Sequence, residues 1–281
     1  MGGVDDLIAS NAGMLTAAER RVAEVILEAP QTVAFGTVAE LAAAAGSGVA
    51  TVARLAAKLG FDGYSDLQAA VRDDLARQLR PAAERIRTTP GADALSQHRA
   101  VEAANVEATL AELDLGVLTA VIERLADVGR SVAVVAADAS AGVARQFLGE
   151  LGALRPGVVS IEGNEVAVAR AVALLEQGDT LVAFDLRRYD RWVVDTVRRA
   201  GERGVWLVAL TDSRLSPLAI DAHAVFTVSA GAVGPFDSHV GTLALCNVLV
   251  AGIAERLRTG ATERLGRIEE AWRTSGALTD G

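Results

Sequence analysis

The chain has 281 residues, a formal net charge of -9 and 51% hydrophobic residues. At roughly 150 residues per domain, this length predicts about two domains. The negative charge argues against non-specific binding of nucleic acid by the chain as a whole, because an acidic surface repels a polyanion.

The sequence contains no run of about 18 uncharged apolar residues, which a membrane-spanning helix requires. Asp5 and Asp6 stand where a signal peptide would carry positive charge, so we expect a cytoplasmic protein without a membrane partner. The chain has one cysteine, Cys246, and three histidines without metal-ligand spacing, His98, His223 and His239. We therefore expect no disulfide, no metal and no cofactor.

Residues 1–80 show helical periodicity and predict an all-α domain. Thr16 with Glu19, and Thr37 with Glu40, have the spacing of capping boxes, which predicts two helix starts. Further helices are predicted over 49–60 and 64–79, with Gly46 ending the helix that Thr37 begins. Prolines and small polar residues beyond residue 81 are typical of a linker or a frayed helix, and we place a linker over 81–104.

From about Ala100 onward, helical segments alternate with apolar runs rich in β-branched residues. The runs cover 131–137, 157–161, 180–185, 205–211 and 224–229. Such alternation predicts an α/β domain over 105–260, with a parallel sheet flanked by helices. Residues 261–281 are predicted to form a short helix and a loose tail.

The helices around the turn at Gly46 to Gly48 have the layout of a helix-turn-helix. Apolar periodicity places Val52, Leu55, Ala56 and Leu59 toward a core, so the outward residues are predicted to be Val49, Ala50, Thr51, Arg54 and Lys58. A hydroxyl and two cations on one stripe suit contacts with bases and phosphates. A helical hairpin with an ordinary solvated face would give the same periodicity, so the pattern alone leaves both interpretations open.

The run ATVARLAAKLGFDGYSDLQ, which begins at Ala50, resembles the DNA-binding domain of the MurR/RpiR family of bacterial transcriptional regulators. The family hallmark is Thr-Val-x-Arg-x-x-x-Lys-Leu-Gly-Phe-x-Gly-Tyr, and residues 51–64 match it without a gap. The resemblance implies that double-stranded operator DNA is contacted by Thr37, Ser47, Gly48, Val49, Ala50, Thr51, Arg54 and Lys58. Gly48 stands where the family has a capping serine, which removes a hydroxyl that could hold a phosphate.

Charge in the first domain bears on how it would bind DNA. Residues 1–80 carry seven basic and ten acidic residues, a net charge of -3. This charge predicts weak non-specific binding, and therefore a recognition helix presented twice by a homodimer or tetramer.

Residues 105–258 resemble the SIS (sugar isomerase) domain that follows in this family, a parallel α/β sandwich that binds phosphosugars as regulatory ligands. The family's Gly-x-Gly-x-Ser loop reads Ala136 to Ser140 here, with Asp138 inside it. Its Ser-x-Ser-Gly-x-Thr phosphate cradle aligns with Asp185 to Asp190, and all four signature positions differ. The Thr-Asp and Ser-Pro pairs that follow the fourth strand, Thr211-Asp212 and Ser216-Pro217, do match.

The segment DLRRYDR, Asp185 to Arg191, has two interpretations. Its arginines could grip a carboxylate or phosphate, or they could pair with Asp185 and Asp190 in a network at a dimer interface. On the first interpretation the effector-binding residues are Asp138, Ser140, Asp185, Arg187, Arg188, Tyr189, Thr211 and His239. His239 has a second interpretation as a capping or packing residue.

The resemblance implies a DNA-binding transcriptional regulator that senses a small anionic metabolite. Because the neutral hydroxyls of the cradle are replaced by charges, we expect a sugar acid or an organic or amino acid, and poor binding of common sugar phosphates. The protein is not expected to be an enzyme, since an isomerase of this type needs the cradle intact. A dimeric repressor that binds no ligand is an open alternative.

Overall fold

The structure is a computed structural model that describes residues 4–79, 82–86, 93–214 and 216–278. It separates into two compact units, Met1–Pro81 and Ala82–Gly281. Each unit has its own buried apolar core, so the two are described separately.

The first unit is all-helical and has one core. Its helices are α1 (Val4–Asn11), α2 (Ala17–Glu28), α3 (Pro30–Phe35), α4 (Val38–Ala44), α5 (Val49–Lys58) and α6 (Tyr64–Leu79). Both predicted capping boxes are present, at the starts of α2 and α4. The short helices α1 and α3 were not predicted.

The second unit is an α/β sandwich. Its helices are α7 (Ala82–Arg85), α8 (Ala94–Ala111), α9 (Leu115–Ala126), α10 (Ala141–Leu154), α11 (Glu165–Ala173), α12 (Arg191–Glu202), α13 (Val240–Arg256) and α14 (Arg258–Ser275). Its strands are β1 (Val132–Ala136), β2 (Val158–Ile161), β3 (Thr180–Phe184), β4 (Trp206–Thr211) and β5 (Ala224–Thr227). All five predicted strands are present.

The five strands form one sheet in the order β2-β1-β3-β4-β5, and every neighbouring pair is parallel. Alternate residues of β1 belong to separate apolar clusters, because successive side chains point to opposite faces of the sheet. The predicted fold class is confirmed. All carboxyl ends lie at the same edge of the sheet, where ligands bind in open sheets of this kind.

The linker predicted over 81–104 is wrong for residues 94–104, which belong to α8 and pack with it against α13. The buried face of α8 is polar, which is why its sequence does not show an apolar stripe. Asn105 exchanges hydrogen bonds with the backbone of Gly231, and Thr109 accepts one from the backbone N–H of Ser229. α14 has 18 residues and is therefore longer than predicted.

Within the described residues, no single helix is long and apolar enough to cross a membrane. Two pairs of consecutive helices, α4 with α5 and α13 with α14, meet the length and composition criteria only when each pair is taken together, and each pair is sharply bent.

Candidate DNA-binding surface and effector site

Helices α4 and α5 form the predicted helix-turn-helix. Their axes differ by 98°, within the range of this motif. The turn is closed by a hydrogen bond from the backbone N–H of Ser47 to the carbonyl of Ala42, and Gly46 adopts the left-handed conformation with φ 53°. Arg21 on α2 donates to the carbonyls of Ala45 and Gly46, which fixes the turn against the rest of the unit.

The exposed surface near the N-terminus of α5 consists of small apolar side chains and one cationic side chain, Arg54. Val49, Ala50 and Arg54 are exposed and lie near the N-terminus of the helix. Gly48 occupies the N-cap and provides no side-chain hydrogen bond, while the hydroxyl of Ser47 is buried without a partner among the described atoms. A short apolar surface with one guanidinium can contact thymine methyl groups and a guanine edge.

Thr51 does not face outward as predicted. Its side chain is buried, with 7% of its surface exposed, and its hydroxyl accepts a hydrogen bond from Arg54 Nη2 at 3.1 Å. The periodicity placed Thr51 at the border of the buried stripe, and the turn before α5 brings it inside. Thr51 thus orients Arg54 and is not available as a surface hydroxyl.

Lys58 has a structural partner. Its ammonium lies 2.6 Å from Oε2 of Glu19, a side chain on α2 with 1% of its surface exposed, and it also donates to the carbonyl of Met14. The hydrogen bond from Lys58 and those from Thr16 hold the pKa of Glu19 at about 2, below its usual 4.5. Lys58 therefore ties the C-terminal end of α5 to α2.

The rest of the signature also supports the scaffold. Gly60 has φ 91°, which ends α5, and the hydroxyl of Tyr64 donates to the carbonyls of Val33 and Gly36. Thr37 lies at the N-cap of α4, where its hydroxyl exchanges hydrogen bonds with Glu40. Among the signature residues, Arg54 alone presents an exposed cation that has no acidic partner in the described structure.

In the second unit, three predicted loops meet at the carboxyl edge of the sheet. The backbone N–H of Asp138, after β1, lies 3.3 Å from Oδ2 of Asp190, after β3. The hydroxyl of Tyr189 donates to Asp212, after β4, at 2.9 Å. Burial and the negative charge of Asp212 raise the pKa of Tyr189 to about 12, so the phenol is a neutral donor.

Asp185 and Ser140 are buried, as is Thr211 among the predicted effector residues. Asp185 has 3% of its surface exposed, and its Oδ2 accepts a hydrogen bond from the backbone N–H of Asp190 at 2.7 Å. Burial, and the nearby charges of Asp190 and Asp212, raise its pKa to about 6. Asp185 thus shapes its own loop, and Ser140 lies buried at the N-cap of α10.

Within the described chain the arginines do not pair with Asp185 or Asp190, and the pairing at a dimer interface that one interpretation of DLRRYDR required stays a prediction. Arg187 Nε instead lies 3.7 Å from Asp212 Oδ2 and 3.6 Å from Asp237 Oδ2. The carboxylate of Asp185 instead accepts a hydrogen bond from the loop backbone, at the N–H of Asp190. The ion pairs of Arg187 are longer than hydrogen bonds, and they lie within one chain.

Four buried polar atoms in this region have no hydrogen-bond partner in the described structure: Arg187 Nε, Thr211 Oγ1, His239 Nδ1 and Thr242 Oγ1. His239 is the N-cap residue of α13 and makes no side-chain capping bond, and Thr242 lies one turn further along the same helix face. Burial lowers the pKa of His239, against the opposing effects of Asp237 and the backbone of Ala139. An unpartnered buried polar atom is costly, so four in one region require an explanation.

Arg188 has the left-handed conformation, with φ 66°. Among the described residues, every other residue with positive φ is a glycine. Such a conformation costs on the order of 1 kcal/mol for a residue with a Cβ atom. Its side chain is exposed. The loop therefore holds a guanidinium at the edge of the site at an energetic cost.

A cleft of about 370 Å³ lies beside these loops, at the carboxyl ends of β1 and β2. Its lining includes Asp138, Arg145, Glu162 and Trp192, but not Arg187 or Thr211. Within the described residues, no group of three or more His, Cys, Asp and Glu side chains could hold a metal ion.

Sequence reasoning missed three residues of this region: Asp237, Thr242 and Arg85. Arg85 Nη1 lies 2.8 Å from Asp237 Oδ1. Asp237 lies two residues before His239, so the prediction of His239 as a site residue could have been extended to this neighbouring carboxylate. Arg85 lay in a predicted linker and gave no such signal.

Each of the two units matches a known family of protein domains. Residues 2–78 match the helix-turn-helix domain of the rpiR family, and residues 125–252 match the SIS domain. An HTH-type transcriptional regulator of Haemophilus influenzae is 29% identical over 223 residues, which cover 77% of this chain and 76% of the relative.

Two solved structures are similar in fold. The sugar isomerase domain of an RpiR transcription factor from Sphaerobacter thermophilus has 30% identity and a TM-score of 0.59, over 63% of this chain and 99% of that one. NanR of Vibrio vulnificus, solved in complex with ManNAc-6P, has 22% identity and a TM-score of 0.59, over 99% of this chain and 100% of that one.

A helix-turn-helix unit followed by a SIS domain defines a DNA-binding transcriptional regulator. The chain belongs to the RpiR family of these regulators.

Proposed function

We propose that this regulator binds a small anionic metabolite at the carboxyl edge of its sheet, and that binding changes its affinity for an operator. The observation that carries this proposal is the set of four buried, unpartnered polar atoms on Arg187, Thr211, His239 and Thr242. A bound ligand with hydroxyl and acid groups would supply the missing hydrogen bonds.

The DNA-binding surface in this proposal is the N-terminal part of α5. Arg54 reads a base edge or holds a phosphate, and Val49 with Ala50 contacts the groove floor. Lys58 has a smaller direct role than the sequence suggested, since its ammonium is paired with Glu19. Thr37, Ser47, Gly48 and Thr51 position this surface through the helix caps and the turn.

The charges around the site favour an acid of sugar-derived or related type. Arg188 is exposed, and Arg187 is held only by ion pairs of 3.6 and 3.7 Å, so both can face an anion. Asp138 and Asp212 flank them and favour a ligand with one compact acid group over a dianionic phosphate. The sugar phosphate bound by NanR shows that the same fold accommodates a ligand of this size.

Two subunits are needed for this mechanism, because a palindromic operator presents two equivalent half-sites. We propose a cytoplasmic homodimer or tetramer in which the SIS domains associate. We also propose that the ligand is not turned over, as the raised pKa of Tyr189 and the loop role of Asp185 leave neither in place as a general base.

One observation favours a second candidate, a repressor that binds no ligand. Arg187 is paired within its own chain, and the neighbouring cleft does not include it. If these pairs persist in solution, the region serves only to hold the loops together.

The test is the thermal stability of the full chain with glucuronate, N-acetylmannosamine 6-phosphate, citrate and glutamate, followed by tryptophan fluorescence. A ligand at about 100 times its Kd stabilises by about 2.7 kcal/mol, which raises Tm by about 5–10 °C. We expect an acid without phosphate to give this shift and Thr211→Val to abolish it.

The matched control is Arg198→Gln, which removes an arginine from an exposed ion pair on α12 and should leave the shift unchanged. Stabilisation by the sugar phosphate alone would contradict the proposed ligand class. No stabilisation across a broad set of acids would favour the repressor that binds no ligand.

A further inference from the structure

Asp237 is shared between two arginines from different parts of the second unit. Its Oδ1 lies 2.8 Å from Nη1 of Arg85, and its Oδ2 lies 3.6 Å from Nε of Arg187. All three side chains are largely buried, with 17 to 22% of their surface exposed. One carboxylate therefore serves two guanidinium groups where solvent screening is reduced.

The two arginines differ in their place along the chain. Arg187 belongs to the loop after β3, inside the proposed effector site. Arg85 is the last residue of α7, the helix that directly follows the DNA-binding unit in sequence. Arg85 also donates to the carbonyl of Gly234, in the same segment as Asp237. The described start of the second unit thus contacts the segment beside the proposed ligand site.

Among the described ion pairs of this cluster, two arginines, Arg85 and Arg187, face two aspartates, Asp212 and Asp237, so these four formal charges cancel. An added anion on Arg187 would compete with both aspartates for that guanidinium. Asp237 would then be paired with Arg85 alone, and the electrostatic potential around Arg85 would become more negative. Both effects strengthen the attraction between Arg85 and Asp237.

We propose that Asp237 transmits occupancy of the effector site to the DNA-binding unit, by passing from a carboxylate shared by Arg187 and Arg85 to one held by Arg85 alone. This inference rests on the proposed function, because it requires an anion at Arg187. The ligand then fastens α7 to the effector domain and restricts the segment that connects it to the operator-binding helices.

Trypsin cleavage after Arg85 tests this directly in the full chain, since the protease must take the Arg85 side chain into its own pocket. Asp237→Asn removes the charge that holds Arg85 and should speed cleavage of the bond to Ile86 by about fivefold, the factor expected of one ion pair. Arg187→Gln removes the competing cation, as the ligand would, and should slow the same cleavage. Mass spectrometry identifies the bond that is cut.

The matched control is Glu123→Gln, which removes a carboxylate that lies 2.8 Å from another arginine, Arg256, on the same domain. It should leave cleavage at Arg85 unchanged. Affinity for an operator selected from random duplexes is the second measurement. Asp237→Asn and Arg187→Gln should shift it in opposite directions, while Asp237→Glu should stay near wild type.

The inference is overturned if Arg187→Gln leaves both cleavage and operator affinity at wild-type values, or if the two variants shift them in the same direction. Should Asp237→Asn fail to fold, Arg187→Gln compared with Arg187→Lys decides the question alone. Because these variants are measured without ligand, their failure is separate from a failure of the ligand panel.

Discussion

Two buried carboxylates, Glu19 in the first unit and Asp185 in the second, have opposite electrostatic surroundings. Glu19 in the first unit is paired with Lys58 and capped by Thr16, which holds its pKa at about 2. Asp185 in the second unit has no cation paired to it in the described structure, and burial raises its pKa to about 6. Charge in the first unit fixes a helix, whereas charge in the second is left partly unsatisfied beside other unpartnered groups. This difference is the one expected between a fixed DNA-binding surface and the proposed ligand site.

The largest expected effect is on the first unit. Lys58→Met leaves the Glu19 carboxylate buried without its cation, so we expect a loss of about 1–3 kcal/mol in stability. Urea unfolding followed by circular dichroism measures it. Arg256→Gln, which breaks an exposed ion pair with Glu123, is the matched control and should change stability by less than about 0.5 kcal/mol.

Operator binding by the same variant separates a structural lysine from a phosphate contact. Lys58→Met should weaken binding while the salt dependence stays that of wild type. Arg54→Ala, in contrast, should keep full stability and weaken binding with relaxed specificity or a shallower salt slope. A salt slope reduced by about one for Lys58→Met would show that Lys58 contacts a phosphate after all.

The pH dependence of the two units should run in opposite directions. The pKa of Glu19 is lowered from 4.5 to about 2, so its contribution is complete above pH 4.5 and is lost as pH falls toward 2. The pKa of Asp185 is raised from 3.8 to about 6, so the second unit loses stability as pH rises through that interval. The three tryptophans, Trp192, Trp206 and Trp272, all lie in the second unit, so fluorescence follows it alone while circular dichroism follows both. Parallel profiles from the two probes would contradict the comparison.

The smallest expected effect is that of Asp185→Asn. Its amide oxygen can still accept from the backbone N–H of Asp190, and the cost of a buried charge is removed. We expect a gain of about 1 kcal/mol at pH 8 and a flatter pH profile in tryptophan fluorescence. Asp185→Ala, which removes the acceptor as well, should lose stability. A loss in both variants would mean that the ionised form is required for the fold.

Local patterns predicted most of the fold, because they act within a few residues. The capping boxes at Thr16 and Thr37 and the five apolar strands depend on spacing alone, and all are present. α8 was misassigned because its buried face is satisfied by hydrogen bonds of Asn105 and Thr109, which a search for apolar periodicity does not detect.

The site was less predictable, because its contacts join distant parts of the chain. Sequence placed Lys58 on the outer face of a helix, but its partner Glu19 lies 39 residues away. The Arg85 to Asp237 pair spans 152 residues, and no pattern within either segment indicates it. The loops named as effector candidates do meet, since parallel strands bring their carboxyl ends to one edge.

The pairing of Lys58 with Glu19 has a practical consequence, because Lys58 is the only lysine of the chain. Reagents that acylate or reductively methylate amines have one side-chain target in addition to the α-amino group, and it lies at the C-terminal end of α5. The Lys58 amine lies 2.6 Å from a buried carboxylate and also donates to the carbonyl of Met14, so labelling should be slow in the folded protein and fast once α5 separates from α2. The rate of labelling at Lys58, read by peptide mass spectrometry, thus becomes a one-residue probe of the helix-turn-helix.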